Sequence, residues 1–343
     1  MNILVTGITG RIGANVARHF LEAGHAVRGF VWPGDRQAAK LALIGAEIVE
    51  GDLRQLAEVH AAAADVDVIL HLGAAFQAGG PFTPEQYMGI NTMGTFHVLE
   101  AALGLGDRLR HVIVTSTDAT MDKYPPEGIE EPLREDSLPL CTTAWYGYTK
   151  VLTEHVVDRY VRHERLPATV LRFANVWGAG EVLDFPQFHL KTFLAQLAGR
   201  ADAEGTAARE ALEAADTGGP RLLIACDRNG RSWKKHNLEV RDIVHAYDRA
   251  VGNPNTFGRT YQLASREPFT WEALIPYLSA CTGIPYTRAN LPLTPTFYEY
   301  DLSAPRGDFG YDPQLTVRDM VDEAVRFRRE GSAAMIPTQV RQP

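Results

Sequence analysis

The chain has 343 residues, 45% of them apolar and 22% charged, with a formal net charge of −8 and a pI near 5.8. That acidic balance argues against nucleic acid or an anionic membrane as the main partner, and no apolar run approaches the ~20 residues that span a bilayer. The N-terminus lacks a basic region and a small-residue cleavage site, and Cys141, Cys226 and Cys281 are too few and too dispersed for a disulfide framework or a zinc site, so a cytoplasmic protein without a metal is expected.

Strand and helix periodicities alternate over the first 175 residues. Ile3–Thr6 reads as a buried strand. Arg11–Ala23 reads as a helix carrying Ile12, Val16, Ala17, Phe20 and Leu21 on one face, with Gly24 at its end. Ala26–Val31 and Ala46–Glu50 are the next strands. Val68–Leu72 is a nearly unbroken apolar run, as in strands buried on both faces. Thr92–Leu103 is a helix, Val112–Thr115 a strand, Tyr146–His163 a long helix ended near Pro167, and Thr169–Arg172 a strand. This alternation predicts an α/β fold: a Rossmann-type, doubly wound parallel sheet.

The pattern loosens after Asn175. Phe188–Leu197, Thr206–Ala215, Val240–Val251, Thr270–Thr282 and Thr316–Arg329 read as helices. The stretch "DTGGPRLLIACDRNGRSWKKHNLEV" reads as two short strands around a Gly-rich turn. We expect an NAD(P)-binding domain over 1–175 and a smaller mixed α/β substrate lobe over 176–330, some of whose segments return to the sheet edge. Residues 331–343 are expected to be a poorly held tail.

The first turn is "GITGRIG" between strand and helix. Gly7 permits the tight turn, Gly10 lets backbone approach a ligand, and Gly13 lets the helix pack closely on the sheet. Amides exposed at the helix start, with the helix dipole, then suit a pyrophosphate. Alone, such glycines also describe a plain strand–helix connection. Asp52 in "GDL" is placed to accept from an adenine amino group, or to cap the following helix. Gly73, Ala74 and Ala75 end the fourth strand and leave room for a cofactor, or for close helix packing.

Tyr146 and Lys150 in "YGYTK" share a helix face at a spacing of four. A neighbouring ammonium lowers a phenol from its usual ~10 toward neutrality, so that it takes a proton from a substrate hydroxyl while hydride leaves the same carbon. Thr117 follows the fifth strand, where its hydroxyl reaches the substrate oxygen.

Together "TGITGRIG", "GDL", "LHLGAA", "NTMGTFHVLEAA", "VTSTDAT", "YGYTK", "LRFANVWG" and "YDLSAPRGDFGYDP" resemble the extended short-chain dehydrogenase/reductase family, also called the NAD-dependent epimerase/dehydratase family, over nearly the whole chain. The resemblance implies Tyr146 as acid/base, Lys150 on the nicotinamide ribose and Thr117 orienting the substrate. It implies NAD or NADP held by Gly7, Thr9, Gly10, Arg11 and Ile12 in the first turn, by Asp52 and Leu53, and by Leu72, Gly73 and Ala74. Asn91, Thr115, Phe173, Asn175 and Val176 complete that set, with Asp118, Asn175 and Lys235 expected at the substrate. It also implies a homodimer formed through Thr92–Leu103 and Tyr146–His163.

Four departures narrow the function. Ala119 stands where dehydratases of this family carry a glutamate, so a dehydratase lacks its base; Asp118 then reads as a substrate-contacting acid or a turn residue. Val31 and Trp32 end the second strand with neither the carboxylate of NAD binders nor the arginine of many NADP binders. Arg11 and Arg36 are the cations available to a 2′-phosphate, Asp35 the carboxylate available to a ribose hydroxyl, and the balance leans to NAD. Lys235 replaces a diphosphate-gripping arginine and is a weaker clamp, or a solvated charge. Asp202–Gly219 is an added segment, expected as a lid, an oligomer contact or a surface insertion.

The expected activity is hydride transfer at a secondary alcohol carbon of a sugar-like or nucleotide-sugar substrate. Release of the ketone makes a dehydrogenase of a small sugar acid or lactone; reduction from the other face makes an epimerase. A non-catalytic NAD(P) sensor is the rival of another class.

Overall fold

The computed structural model describes residues 1–76, 82–331 and 334–339. Its first half runs β1 (Asn2–Thr6), α1 (Gly13–Glu22), β2 (Ala26–Val31), α2 (Leu41–Ile44), β3 (Glu47–Glu50), α3 (Leu56–Ala63), β4 (Val68–His71), α4 (Pro84–Tyr87), α5 (Gly94–Gly104), β5 (His111–Thr117), α6 (Trp145–Glu164) and β6 (Ala168–Phe173). The second half runs β7 (Asn175–Trp177), α7 (Leu190–Leu197), α8 (Ala203–Ala215), β8 (Leu222–Cys226), β9 (Lys234–Lys235), β10 (Asn237–Glu239), α9 (Val240–Ala250), β11 (Thr260–Leu263), β12 (Phe269–Thr270), α10 (Trp271–Thr282), β13 (Tyr286–Asn290), α11 (Ser303–Phe309) and α12 (Val317–Glu330).

Strands β4 and β6 are buried at every residue, because helices cover both sheet faces. Seven strands pair in the order β11-β6-β5-β4-β1-β2-β3, all parallel. This is the Rossmann-like α/β fold read from the alternation. The order reverses between β1 and β4, so the C-terminal ends of these strands open the crevice in which such sheets bind ligands. One sheet-face core includes Val16, Phe20, Leu70, Ile243 and Tyr247; the other includes Leu4, Ile69, Val98, Leu99 and Val157. A third core, rich in aromatic rings, joins Trp177, Phe188, Phe193, Trp233, Phe269 and Trp271 in the second half.

Several local expectations need correction. The stretch after Asp216 holds three strands, β8, β9 and β10, each paired elsewhere: β8 with β13, β9 with β12 and β10 with β7. Its Gly-rich turn is present at Gly230 (φ +83°), closed by Asp227 accepting from the amides of Asn229 and Arg231. Helix α8 in the added segment is no free lid: its Leu212 is buried in the third core, and it packs on α7 and β13. Helix α3 went unread, since Leu56–Ala63 is short and half alanine. Helix α5 starts at Gly94 because Met88–Met93 forms a π-turn instead.

The tail expectation fails for 334–339, while 332–333 and 340–343 lie outside the described residues. Met335 and Ile336 are buried. Asn15 grips Ile336 at both backbone groups, accepting its amide at 2.7 Å and donating to its carbonyl at 3.0 Å.

Candidate active site

The glycine turn sits where the sequence put it. Gly7 has φ +69°, and a Cβ there would lie 2.7 Å from the Gly73 amide nitrogen. A Cβ on Gly13 would lie 2.2 Å from the Gly7 carbonyl oxygen, so no side chain fits between turn and helix. Gly10 is exposed at the turn's outer edge, its amide donating to the Gly7 carbonyl at 2.9 Å. A Gly73 Cβ would crowd Leu53 Cδ1 at 2.9 Å, which is why the end of β4 carries no side chain. This cradle, shaped by residues without Cβ atoms at the start of a helix, fits the pyrophosphate of a dinucleotide.

The adenosine end differs from the expectation. Asp52 does not stand free: its carboxylate accepts from Arg54 Nε at 2.8 and 3.1 Å and from the Arg54 amide at 2.9 Å. It closes a local turn, and the N-cap of α3 is Gln55. Arg54 in turn lies over the Trp32 ring at 5.1 Å, on the surface where β2 and β3 end. Arg11 is also committed. It donates to the Val176 carbonyl at 2.6 Å, pairs with Glu181 at 3.1 Å and reaches Thr338 Oγ1 at 3.1 Å. It ties the turn to the second half and is unavailable to a 2′-phosphate. Asp35 reaches inward instead, accepting from Thr9 Oγ1 at 2.5 Å and from the Gln37 amide at 2.7 Å.

Beneath this turn lies a residue the sequence reading missed. Lys40 is fully buried, donates to the Thr9 carbonyl at 2.9 Å, and is lowered by burial to a pKa of about 8. A lysine among alanines and leucines gives no signal of its own.

Asn91 holds the opposite wall rather than facing the groove. Its Oδ1 accepts the Ala75 amide at 2.7 Å, and its Nδ2 donates to the Ala75 carbonyl and to Thr149 Oγ1, each at 3.1 Å. The loop carrying Gly73 and Ala74 is thereby clamped to α6. Thr115, Phe173, Asn175 and Val176 lie at the ends of β5 and β6 and on β7, next to the crevice. Thr115 Oγ1 bonds the Tyr247 hydroxyl at 2.7 Å, and Phe173 packs edge-on to the Tyr247 ring. Ile12 is the N-cap of α1, and Leu72 bridges to β1 through the Thr6 carbonyl.

The chemistry-bearing residues do converge. Helix α6 presses against the turn after β5 because Gly147 has no Cβ, which would fall 2.3 Å from the Ala119 carbonyl oxygen. That approach brings the Tyr146 phenol near enough to the Thr117 side chain for that hydroxyl to favour its ionised form. The Tyr146 ring is nine-tenths buried and packs edge-on against Phe76 at 5.4 Å. One turn along α6, the Lys150 ammonium donates to the Thr115 carbonyl at 2.8 Å.

The electrostatics correct one expectation. Burial pushes the Tyr146 phenol up; the Thr117 hydrogen bond opposes this, and the Asp118 carboxylate adds to it. Burial lowers Lys150 to about 8, with Glu154 opposing. Among the polypeptide's own groups, desolvation therefore outweighs the lowering that the Tyr–Lys spacing suggested. Burial thus favours the protonated phenol.

Behind Lys150 stands a buried ion pair. Glu154 takes Arg172 Nε at 2.9 and 3.1 Å and Nη2 at 2.7 Å, and accepts from Ser116 Oγ at 2.5 Å. Both side chains are 6% exposed. Neither Glu154 nor Arg172 was singled out in the sequence, and their pairing joins α6 to β6 across 18 residues.

Asp118 is buried, and Tyr300 donates to its Oδ2 at 2.7 Å. Lys123 adds an ion pair at 3.3 Å and a bond to the Asp118 carbonyl at 2.9 Å. Lys235 belongs to the same neighbourhood and is 5% exposed, not a solvated charge. Among the described residues no group of three or more His, Cys, Asp or Glu is arranged to hold a metal, and no helix is long and apolar enough to cross a membrane.

Comparison with known proteins agrees with this architecture. Residues 3–264 match the NAD dependent epimerase/dehydratase family. The chain belongs to the NAD-dependent epimerase/dehydratase family. Like other members of this extended short-chain dehydrogenase/reductase family, it is an NAD-dependent oxidoreductase or epimerase by class. It is 29% identical to a UDP-glucose 4-epimerase of Streptomyces lividans, over 89% of this chain and 97% of that protein. It is 28% identical to a 2-alkyl-3-oxoalkanoate reductase of Stenotrophomonas maltophilia, over 97% of this chain and all of that protein. A crystal structure of a short-chain dehydrogenase/reductase superfamily protein from Agrobacterium tumefaciens, with bound NAD, superposes with a TM-score of 0.81 at 31% identity, over 96% of this chain and 98% of that one.

Proposed function

We propose that the chain oxidises, or inverts through oxidation, a secondary alcohol carbon of a small polar substrate, with Tyr146 exchanging the hydroxyl proton. The observation that carries this reading is the approach of α6 to the turn after β5, which buries Tyr146 beside that turn with the Lys150 ammonium one helical turn away on the Thr115 carbonyl. NAD, when bound over the glycine turn, supplies the acceptor of the hydride. Thr117 fixes the substrate oxygen against the phenol. Ionised, Tyr146 would accept the substrate's hydroxyl proton on oxidation, and protonated it would return one when a ketone is reduced. Lys150, one helical turn away, is the cation placed to favour the ionised phenol against burial. Ala119 supplies no base for water loss, which leaves dehydrogenase and epimerase outcomes. The two differ only in whether the ketone leaves or is reduced from its other face, and the similar proteins include both an epimerase and a reductase.

The test is nicotinamide absorbance on mixing the full chain and NAD with a panel of polyols, sugar acids and nucleotide sugars, with chromatography for epimers. A chain that binds NAD yet turns over nothing in such a panel belongs to the sensor class.

The cofactor reading is NAD rather than NADP. Asp35 sets a carboxylate beside Thr9 and Arg11 is tied to Val176 and Glu181, while Arg36 next to Asp35 is exposed and Arg54 over Trp32 is paired with Asp52. A 2′-phosphate set against that carboxylate is repelled. Calorimetry is expected to give NAD an affinity at least about tenfold above NADP, and equal affinities overturn the assignment.

We also read the chain as a homodimer. Around α5 and α6, Met93, Leu103, Trp145 and Tyr148 each remain about two-fifths exposed or more. A twofold pairing of these helices covers such residues. Light scattering at micromolar concentration is expected to give twice the 37.8 kDa of the chain; a monomer refutes the pairing.

A further inference from the structure

The point where the strand order reverses is stapled by a buried imidazole. Thr6 and His71 are register partners at the C-terminal ends of β1 and β4, and both are buried. Thr6 Oγ1 lies 2.7 Å from His71 Nδ1, and His71 Nε2 lies 3.0 Å from Thr95 Oγ1 on α5. The partners decide where the protons are. Thr95 gives its one hydroxyl proton to the Asn91 carbonyl at 2.6 Å, so toward the ring it can only accept. Burial, assisted by the Lys150 charge, lowers the imidazole to about 3, so the ring is neutral and has a single N–H. That N–H is on Nε2. Nδ1 therefore accepts the Thr6 proton, and Thr6 Oγ1 accepts in turn from the Gly73 amide at 3.0 Å.

This chain of bonds closes on itself around the 73–75 loop. Gly73 is tied to Thr6 at one end, and the Asn91 side chain takes the amide and carbonyl of Ala75 at the other. The Asn91 carbonyl receives Thr95, which completes the ring of bonds. The glycine turn meets the same loop, since a Cβ on Gly7 would fall 2.7 Å from the Gly73 nitrogen. A second histidine shows the same bonding without the same neighbours. His111 starts β5 beside Val68, at the far end of β4 from His71. Its Nε2 lies 2.8 Å from Thr169 Oγ1, whose proton goes to the Thr256 carbonyl at 2.7 Å, and its Nδ1 accepts the Gly252 amide at 3.2 Å. Burial lowers this ring to about 3 as well. The two imidazoles share burial and tautomer, but the bonds of His111 run to β6 and the turn after α9, at the sheet edge opposite the glycine turn.

We infer that His71 is a positioning residue for the dinucleotide: held as its Nε2–H tautomer between Thr6 and Thr95, it joins the glycine turn after β1 to the 73–75 loop after β4 and sets the width of the crevice between them. The inference rests on NAD binding over that turn. The ring touches no ligand itself; it acts through the backbone of Gly7 and Gly73.

The test uses the full chain, with calorimetric titration of NAD, thermal melts, and nitrogen NMR of protein labelled at histidine. His71→Leu and Thr6→Val are expected to weaken NAD at least about tenfold, the scale of a buried polar group left unpaired, and His111→Leu less than about twofold. Melting is expected to fall alike in His71→Leu and His111→Leu, so affinity rather than stability separates a positioning role from a structural one. The conservative Thr6→Ser is expected to retain NAD. In the unaltered chain the His71 ring is expected to keep a protonated Nε2 and a bare Nδ1 throughout the neutral range. Should a leucine variant fail to fold, Thr6→Val and Thr169→Val carry the comparison, since they break the same bonds from the other side. The inference is overturned by unchanged NAD affinity in His71→Leu and Thr6→Val, by an equal loss in the His111 or Thr169 variant, or by a His71 proton on Nδ1. An unaltered chain that takes up no NAD sinks the oxidoreductase reading as well, so the two failures are distinct.

Discussion

Tyr146→Phe is expected to lower turnover by about 100- to 10,000-fold, the range that a positioned acid–base group supplies, while NAD affinity stays as it was. The substitution removes one oxygen and keeps the ring, so the edge-on contact with Phe76 and the burial against Tyr87 and Ala75 survive. What is lost is the hydroxyl that would carry the proton beside Thr117. Stability should move by no more than about 1 kcal/mol, the worth of one ordinary hydrogen bond. Initial rates on whichever alcohol the unaltered chain oxidises, with calorimetric titration of NAD, separate the two effects. Unchanged rates remove Tyr146 from the mechanism; a parallel loss of NAD binding makes it a structural residue.

The second large effect lies behind the site. Arg172→Met is expected to destabilise the chain by about 3–5 kcal/mol, the cost of leaving a buried charge without its partner. Arg172 covers both oxygens of Glu154 and also donates to the Glu135 carbonyl at 2.7 Å. Without it, Glu154 keeps only Ser116 as a donor among the described residues. The double variant Arg172→Met with Glu154→Leu leaves no lone charge and is expected to recover more than half of the loss. Denaturant melts of both variants decide the question. A single-variant cost under about 1 kcal/mol contradicts the buried-pair account, since that is the scale of an exposed pair. The double variant also deprives Lys150 of the carboxylate one helical turn beyond it, so its turnover reports how far that charge supports the ammonium.

What the sequence disclosed and what it hid divide along contact distance. Gly7 and Gly13 lie within one turn, and their reason, the absence of room for a Cβ, is local, so spacing marked both positions. Tyr146 and Lys150 were legible because a helix converts a spacing of four into a shared face. The strands were legible because burial on both sides removes polar residues from them. By contrast, Tyr300 reaches Asp118 across 182 residues, and nothing near either residue announces the other. Asp52 and Asn91 were legible as special positions, but not the neighbours, Arg54 and Ala75, that their side chains bond. The phenol's raised pKa was invisible for a related reason, since burial depends on everything that surrounds a residue rather than on spacing.

The grip of Asn15 on Ile336, and of Arg11 on Thr338, carries a consequence for how the molecule comes into being. Two braces of the glycine turn are translated more than 320 residues after it. The turn is thus completed only after the sheet beneath it has had time to form. A nascent chain paused before residue 334 carries the whole seven-stranded framework with the mouth of its cofactor groove still unlatched.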